Sequence, residues 1–196
     1  MSMPGNADPF RASRRSAWIV TLLSLSILTL ICIAQPAQAQ VIRSFNMRSP
    51  SMEPTIRQGE RILASPSHYR NNAPARGDVV IYRHPQRAGE VWIKRIAAVA
   101  GDRVAVREGR AIVNGMPAAE PYVLSGGPGA FFNTMAEITV PDGHVFVLGD
   151  NRANSMDSRA RQHGPVPVAN LEARATGIAF SRDIWRIGRW IGTPSP

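Results

Sequence analysis

Short apolar runs alternate with turn-forming residues through most of the chain beyond residue 46. The clearest runs cover residues 79–82, 91–96, 103–106, 111–113 and 145–148. Gly-Asp, Gly-Glu or Asp-Gly pairs precede most of them, and Asn114-Gly115 follows the fourth run as a hairpin turn would. This spacing predicts an all-β, antiparallel domain without the strand–helix–strand alternation of a parallel sheet.

A different pattern precedes this region. The 18 residues 17–34 carry no charge, which is near the lower limit for a spanning helix. Arginines 11, 14 and 15 precede the segment, and the next basic residue is Arg43. The excess of positive charge places the N-terminus in the cytoplasm. The predicted organisation is a cytoplasmic tail (1–16), a transmembrane anchor (17–34), a linker (35–46) and an extracytoplasmic domain (47–196).

The end of the apolar segment allows a second interpretation. Pro36 stops the helix, and Ala37-Gln38-Ala39 has the small-x-small pattern of a secretory cleavage site. The segment is therefore either a stable anchor or a long, cleaved signal peptide. Its length favours the anchor, because signal-peptide cores contain roughly 7–15 apolar residues.

The net charge and the cysteine content exclude several classes of function. The net charge of +9 comes from scattered basic residues rather than a run, which favours a nearby anionic membrane surface over nucleic acid. Cys32 is the only cysteine and lies within the apolar segment. An intrachain disulfide, a multi-cysteine metal site and a cysteine peptidase are excluded.

One basic residue differs from all the others. Of 23 basic residues, 22 are arginine, and Lys94 is the only lysine. Arginine cannot lose its proton in a protein, whereas a desolvated lysine amine can. Strand alternation places Lys94 on the same face as Trp92 and Ile96, where the amine would be desolvated and able to act as a general base. A lysine at a strand edge, reaching into solvent, is the alternative.

Two further segments carry reactive or charged groups. Ser51 lies between Pro50 and Pro54, which stiffen the chain around a potential nucleophile. Residues 149–159 place small and charged side chains directly after an apolar run, a composition suited to a hydrogen-bonded network. Taken singly, each segment is also consistent with an ordinary loop.

Together, these segments resemble the type I signal peptidases, the S26 serine peptidases with a Ser–Lys dyad. The matching motifs are Ser-Met-x-Pro-Thr at 51–55, Arg-Gly-Asp-Val-Val at 76–80, Lys-Arg-Ile at 94–96 with Gly101-Asp102, Gly-Asp-Asn-Arg at 149–152 continuing through Ser155, Asp157, Ser158 and Arg159, and Gly-Pro-Val-Pro at 164–167. They occur in the family's order and span residues 47–167.

The resemblance implies roles for these residues. Ser51 matches the nucleophile and Lys94 the general base. Ser49 matches the side-chain donor of the oxyanion hole, beside the Ser51 amide. Ser155 matches the hydroxyl that orients the lysine amine. The supporting ion-pair network would be formed by Asp150, Asp157, Arg159 and Arg95.

The resemblance also implies fold, location and partners. It predicts an all-β catalytic core with a small, variable β region after one transmembrane helix. The enzyme would be a monomer in the bacterial inner membrane and would remove signal peptides from exported preproteins after A-x-A-like sites. Its partners would be signal peptides and the lipid bilayer, without nucleic acid, cofactor or metal.

Departures from the family pattern lie near the last motifs. Position 153 is alanine where an acid is usual, and residues 161–163, Arg-Gln-His, replace an aromatic pair. His163 and the three other histidines, at positions 68, 84 and 144, are interpreted as structural, because the dyad needs no histidine.

Three other functions share some of these sequence features. A specialised relative that processes conjugative pilin subunits would share the dyad and anchor. A Ser–Lys self-cleaving repressor would carry a DNA-binding domain where the anchor stands. An inactive anchored binding module would not need an intact Ser51 and Lys94.

Overall fold

The computed structural model describes residues 41–124 and 133–192, which belong to one compact unit spanning Gln40–Pro196. The strands are β1 (Arg43–Asn46), β2 (Arg61–Ser65), β3 (Val79–Arg83), β4 (Val91–Val99), β5 (Arg103–Arg107), β6 (Arg110–Val113), β7 (Met116–Pro117), β8 (Met135–Thr139), β9 (His144–Leu148), β10 (Val166–Pro167) and β11 (Leu171–Phe180). One short helix, α1 (His68–Asn71), and four 3-10 turns (Pro50–Met52, Arg152–Asn154, Val168–Asn170, Ile184–Arg186) complete the described elements.

The strands form two sheets. The larger has seven strands in the order β1-β2-β11-β3-β4-β9-β10, and the smaller has four in the order β7-β6-β5-β8. Neighbouring strands are antiparallel in both sheets. The prediction of an antiparallel β core is therefore confirmed.

The five apolar runs seen in the sequence correspond to β3, β4, β5, β6 and β9. The predicted turn at Asn114-Gly115 joins β6 to β7, and both residues have positive φ, of 53° and 81°. Such a backbone matches the twist of a two-residue hairpin.

Other strands lack a strong apolar signal. β11, with ten residues, is the longest strand, yet arginine, glutamate and threonine interrupt its apolar positions. β1 and β8 are largely exposed. Pairing with neighbours, rather than hydrophobic pattern, determines these strands.

Three hydrophobic clusters fill the described part of the protein, and β4 lies between two of them. Ile93, on one face of β4, packs in the first cluster with Met52 and Ile56. Ile96, on the opposite face, packs in another with Val80 and Tyr82, against which Trp92 also rests. The central strand β4 is thus rigidly held at the point where it carries Lys94.

The predicted transmembrane anchor, residues 17–34, lies outside the described residues. Within 41–124 and 133–192, none of the helices is long and apolar enough to cross a bilayer.

Candidate active site

Ser51 occupies a 3-10 turn, Pro50–Met52, between β1 and β2. Met52 and Ile56 are fully buried and fix this turn to the core. The carbonyl oxygen of Ser51 accepts a hydrogen bond from the Asn151 amide at 3.1 Å, and the Asn151 side chain donates to the Pro50 carbonyl at 3.3 Å. The turn is therefore held by the burial of Met52 and Ile56 and by two hydrogen bonds from Asn151, which lies in the segment after β9.

Lys94 directs its amine at this turn. Its Nζ lies 2.8 Å from the Oγ of Ser51 and donates to the Ile93 carbonyl at 3.1 Å. Ser51 is 3% exposed and Lys94 is 4% exposed. Burial lowers the pKa of Lys94 to about 8, although the carboxylates of Asp157 and Asp150 act in the opposite direction. The neutral amine is therefore far better populated near physiological pH than in an exposed lysine.

Ser49 lies beside the Ser51 hydroxyl. The two Oγ atoms are 3.0 Å apart, and Ser49 is exposed to solvent. The residue precedes the turn in extended conformation, with φ −131° and ψ 159°. A hydroxyl in this position can donate to an oxygen atom bound next to Ser51.

The predicted ion-pair residues form two separate pairs. In the first, Arg95 Nε and Nη2 donate to the two carboxylate oxygens of Asp150 at 2.9 and 2.7 Å. Thr55 Oγ1 donates to the same carboxylate at 2.5 Å, and Arg95 also donates to the Gly77 carbonyl at 2.8 Å. This pair joins the serine segment, the lysine strand and the segment after β9.

The second pair joins Asp157 and Arg159, and the Asp157 carboxylate raises the pKa of Lys94 more than the Asp150 carboxylate does. Arg159 Nε donates to Asp157 Oδ1 at 2.7 Å. Burial raises the pKa of Asp157, but the Arg159 guanidinium and the Gly149 amide outweigh it, so the pKa is lowered overall and the carboxylate stays ionised.

Ser155 contacts this second pair. Its Oγ donates to Asp157 Oδ2 at 2.7 Å, rather than to the Lys94 amine. An orienting effect of Ser155 on Lys94 would therefore act through the position of the Asp157 carboxylate.

A third buried pair was missed by the sequence analysis. Arg152 donates to Glu120 at 2.5 and 3.1 Å, and to the carbonyls of Gly109 and Gly149 at 2.5 and 2.9 Å. Both charged side chains are 1% exposed. Arg152 belongs to the Gly-Asp-Asn-Arg motif at 149–152, but nothing in the sequence links it to Glu120, 32 positions earlier.

At Gly149, the serine turn (Pro50–Met52) and the charged segment after β9 approach each other closely. A Cβ at this position would collide with the side chain of Ser155 and with the carbonyl oxygen of Ser51. Only glycine permits this close approach, which explains why a glycine ends the apolar run of β9.

A cleft of about 930 Å³ opens onto the side chains of Ser51 and Lys94. It is bounded by β1, by the segment around β4 and by Asn154 and Met156; its lining includes Phe45, Met47, Ser49, Ser51, Trp92, Ile93 and Lys94. The mixture of backbone edge and apolar side chains suits an extended peptide. In the described ranges, no group of three or more histidine, cysteine, aspartate or glutamate side chains could hold a metal ion.

The chain is similar to a family of known peptidases. The family model described as "Signal peptidase, peptidase S26" matches residues 17–180. The chain is 33% identical to thylakoidal processing peptidase 1 of Arabidopsis thaliana, covering 82% of the chain and 50% of the relative. It is 30% identical to the probable signal peptidase I-1 of Synechocystis sp., covering 90% of the chain and 87% of the relative.

A third relative is similarly distant. Signal peptidase I of Mycobacterium tuberculosis is 30% identical, covering 96% of the chain and 81% of the relative. The chain therefore spans half the length of the plant relative and most of the other two.

Proposed function

The chain belongs to the S26 family of signal peptidases, and we propose that it is a signal peptidase I with Ser51 as nucleophile and Lys94 as general base. One observation carries the proposal: the Ser51 hydroxyl and the Lys94 amine are 2.8 Å apart, both residues are buried, and both line the cleft of about 930 Å³. An amine of lowered pKa beside a hydroxyl is the activated nucleophile of a serine–lysine dyad.

In the first step, the neutral Lys94 amine accepts the Ser51 proton as Oγ attacks the scissile carbonyl carbon. The carbonyl oxygen becomes an oxyanion, which accepts hydrogen bonds from the Ser49 hydroxyl and the Ser51 amide. When the intermediate collapses, the C–N bond breaks and the Lys94 ammonium gives its proton to the leaving amine. The mature protein is released, and the signal peptide remains as an ester on Ser51.

In the second step, the neutral amine accepts a proton from water, which attacks the ester. The tetrahedral intermediate again uses the same oxyanion donors. Its collapse breaks the ester bond and returns the proton from Lys94 to Ser51 Oγ. Both steps need Lys94 in the neutral form at the start, so burial of the amine supports each of them.

The substrates proposed are exported preproteins with A-x-A-like sites. We further propose that residues 17–34 anchor the enzyme in the bacterial inner membrane, with the catalytic domain outside. Such an anchor would hold the cleft near the membrane surface, where a signal peptide emerges. Membrane anchoring is supported by the uncharged run and by the arginines that precede it.

Cleavage of a preprotein by the purified full-length protein in detergent tests the function. We expect one cut directly after the A-x-A site, located by mass spectrometry of both products. The Ser51→Ala variant, prepared in parallel, should release neither product above background. Equal cleavage by both preparations would show that a contaminating host peptidase is responsible and would contradict the proposal.

A further inference from the structure

Aromatic and imidazole rings pack behind the Lys94 amine. The ring centroid of His163 lies 4.8 Å from His84 and 5.6 Å from Trp92, and His84 lies 4.3 Å from Trp92. The Lys94 Nζ is 5.4 Å from the centre of the Trp92 ring. The Trp92 ring is therefore a neighbour of both the amine and the two histidines.

Hydrogen bonds fix the His163 ring. Its Nδ1 lies 2.8 Å from the carbonyl oxygen of Gly164, which can only accept, so Nδ1 carries the proton. Its Nε2, 2.8 Å from the Tyr82 hydroxyl, then accepts from that group in the neutral ring. His163 is 3% exposed and Tyr82 is fully buried, so the ring is held in one orientation and without charge.

The Trp92 indole needs such support. It is only half-buried and borders the cleft. Its Nε1 donates to the exposed carboxylate of Glu90 at 2.9 Å, which is a weak restraint at a solvent-facing strand end. His84 and His163 pack against the ring, which also rests on the cluster of Val80, Tyr82 and Ile96 and lies 5.6 Å from the Arg87 guanidinium carbon.

We infer that His163 is a positioning residue for the proposed Lys94 base: locked by Tyr82, its ring holds Trp92 beside the amine and keeps water away from it. The inference rests on the proposed function. A buried histidine can occupy this place because its neutral ring, with both nitrogens hydrogen-bonded, packs against an indole as another aromatic ring would.

Other groups also shift the pKa of the Lys94 amine, and the test must separate their effects from that of the His163 ring. Asp157 and Asp150 raise the pKa of Lys94, whereas burial and Arg159 lower it. The hydrogen bonds of the His163 ring go to Tyr82 and to the Gly164 carbonyl, and its replacement leaves these four groups of the chain unaltered: the carboxylates of Asp157 and Asp150, the Arg159 guanidinium and the Lys94 amine. Replacing His163 therefore tests the packing of Trp92 while leaving the charges in place.

The pH dependence of kcat/KM for preprotein cleavage by the full-length enzyme provides the test. In His163→Ala, water should reach the amine, and the midpoint of the acid limb should rise by about one pH unit towards the ordinary lysine value of about 10.4. Below the midpoint, kcat/KM should fall about tenfold, while the rates at high pH converge. His163→Phe, which restores the ring face that packs on Trp92 but not the acceptor for Tyr82, should shift the midpoint less than His163→Ala does.

A matched control is His144→Ala. His144 lies in β9 and its Nδ1 bonds to the Asp142 carbonyl, outside the ring cluster, so its replacement should leave the profile unchanged. His163→Gln serves if His163→Ala does not fold, because glutamine can still accept from Tyr82 but has no ring face. We expect the same upward shift of the midpoint for this variant.

An unshifted midpoint in the folded His163→Ala or His163→Gln enzyme would overturn the inference, even if the rate fell equally at all pH values. Failure of the proposed function would look different. In that case, Ser51→Ala or Lys94→Ala would retain cleavage, whatever the behaviour of the His163 variants.

Discussion

Lys94 shows most clearly how one residue connects sequence with chemistry. In a chain whose other basic residues are all arginine, the single lysine lies 2.8 Å from Ser51. Arginine at this position would keep its proton at any working pH. The proposed general-base role requires a removable proton at this position, and composition alone was enough to single out Lys94.

The pH dependence of cleavage should report this lysine. Because the neutral amine is the active form and its pKa is about 8, kcat/KM should rise about tenfold per pH unit below that value and level off above it. Initial rates with preprotein substrate at several pH values would measure the limb. An acid limb centred near the ordinary pKa of a carboxylate or a histidine would contradict the assignment.

Ser49 should affect turnover rather than binding. Its hydroxyl is 3.0 Å from Ser51 Oγ and would donate to the oxyanion, which exists only near the transition state. We expect Ser49→Ala to lower kcat by about 10²–10³ with little change in KM. Steady-state kinetics would separate the two constants, and a change in KM alone would assign Ser49 a structural role.

Side-chain partners were less predictable than the residues themselves. Motif residues such as Asp150 and Asp157 were identified, but the sequence could not assign Arg95 to one and Arg159 to the other as two separate pairs. Glu120 gave no signal at all. Its partner lies 32 positions away and is selected only by the folded chain.

At the scale of elements, strands whose sequence alternates or is uniformly apolar were predicted. The half-exposed strands β1, β8 and β11 were not, and neither was the mostly buried β2. β4 combines both kinds of information, because its alternation correctly placed Trp92, Lys94 and Ile96 on one face. β11 was missed, since its arginine, glutamate and threonine hide the apolar positions that pack against β2 and β3.

The Arg152–Glu120 pair joins the strand β6 region to the segment that carries Asp150 and Asp157. Glu120 also accepts from the Ala111 amide at 3.1 Å. Glu120→Ala would leave the Arg152 guanidinium buried without its carboxylate, and should cost about 3–5 kcal/mol of unfolding free energy. Urea denaturation of the variant and the parent enzyme would measure the difference.

The control for this experiment is the exposed pair Arg103–Glu137, whose side chains are 59% and 44% exposed. Glu137→Ala should cost about 0–1 kcal/mol, because solvent screens such pairs. If Glu120→Ala were no more destabilising than Glu137→Ala, the buried pair would not hold the two regions together.

At the scale of the whole molecule, apolar side chains are exposed near the C-terminus. Trp185 is 89% exposed, Ile184 67% and Trp190 54%. The same stretch returns to the domain, because Arg186 is buried against Glu60 at 2.6 Å and Trp190 pairs with Gly177. It therefore packs on the domain and also presents a surface with the composition of a membrane interface.

We expect this surface to contact lipid when the full-length protein is placed in a bilayer. In bilayers that contain brominated anionic lipid, part of the tryptophan fluorescence of full-length protein should be quenched, and Trp185→Ala should remove a share of the quenched signal. An identical quenched signal in the variant would show that Trp185 stays in water. The scattered positive charge of the chain, +9, favours the anionic surface.

The most direct test of the central claim compares Lys94→Arg with Lys94→Ala. The arginine variant keeps the positive charge and much of the length but cannot accept the Ser51 proton. The measurement is kcat/KM for preprotein cleavage, on variants whose folding matches the parent enzyme by circular dichroism. If Lys94 is the general base, both variants should fall to the same background rate at every pH tested; substantial activity in Lys94→Arg would contradict the role of Lys94 as general base.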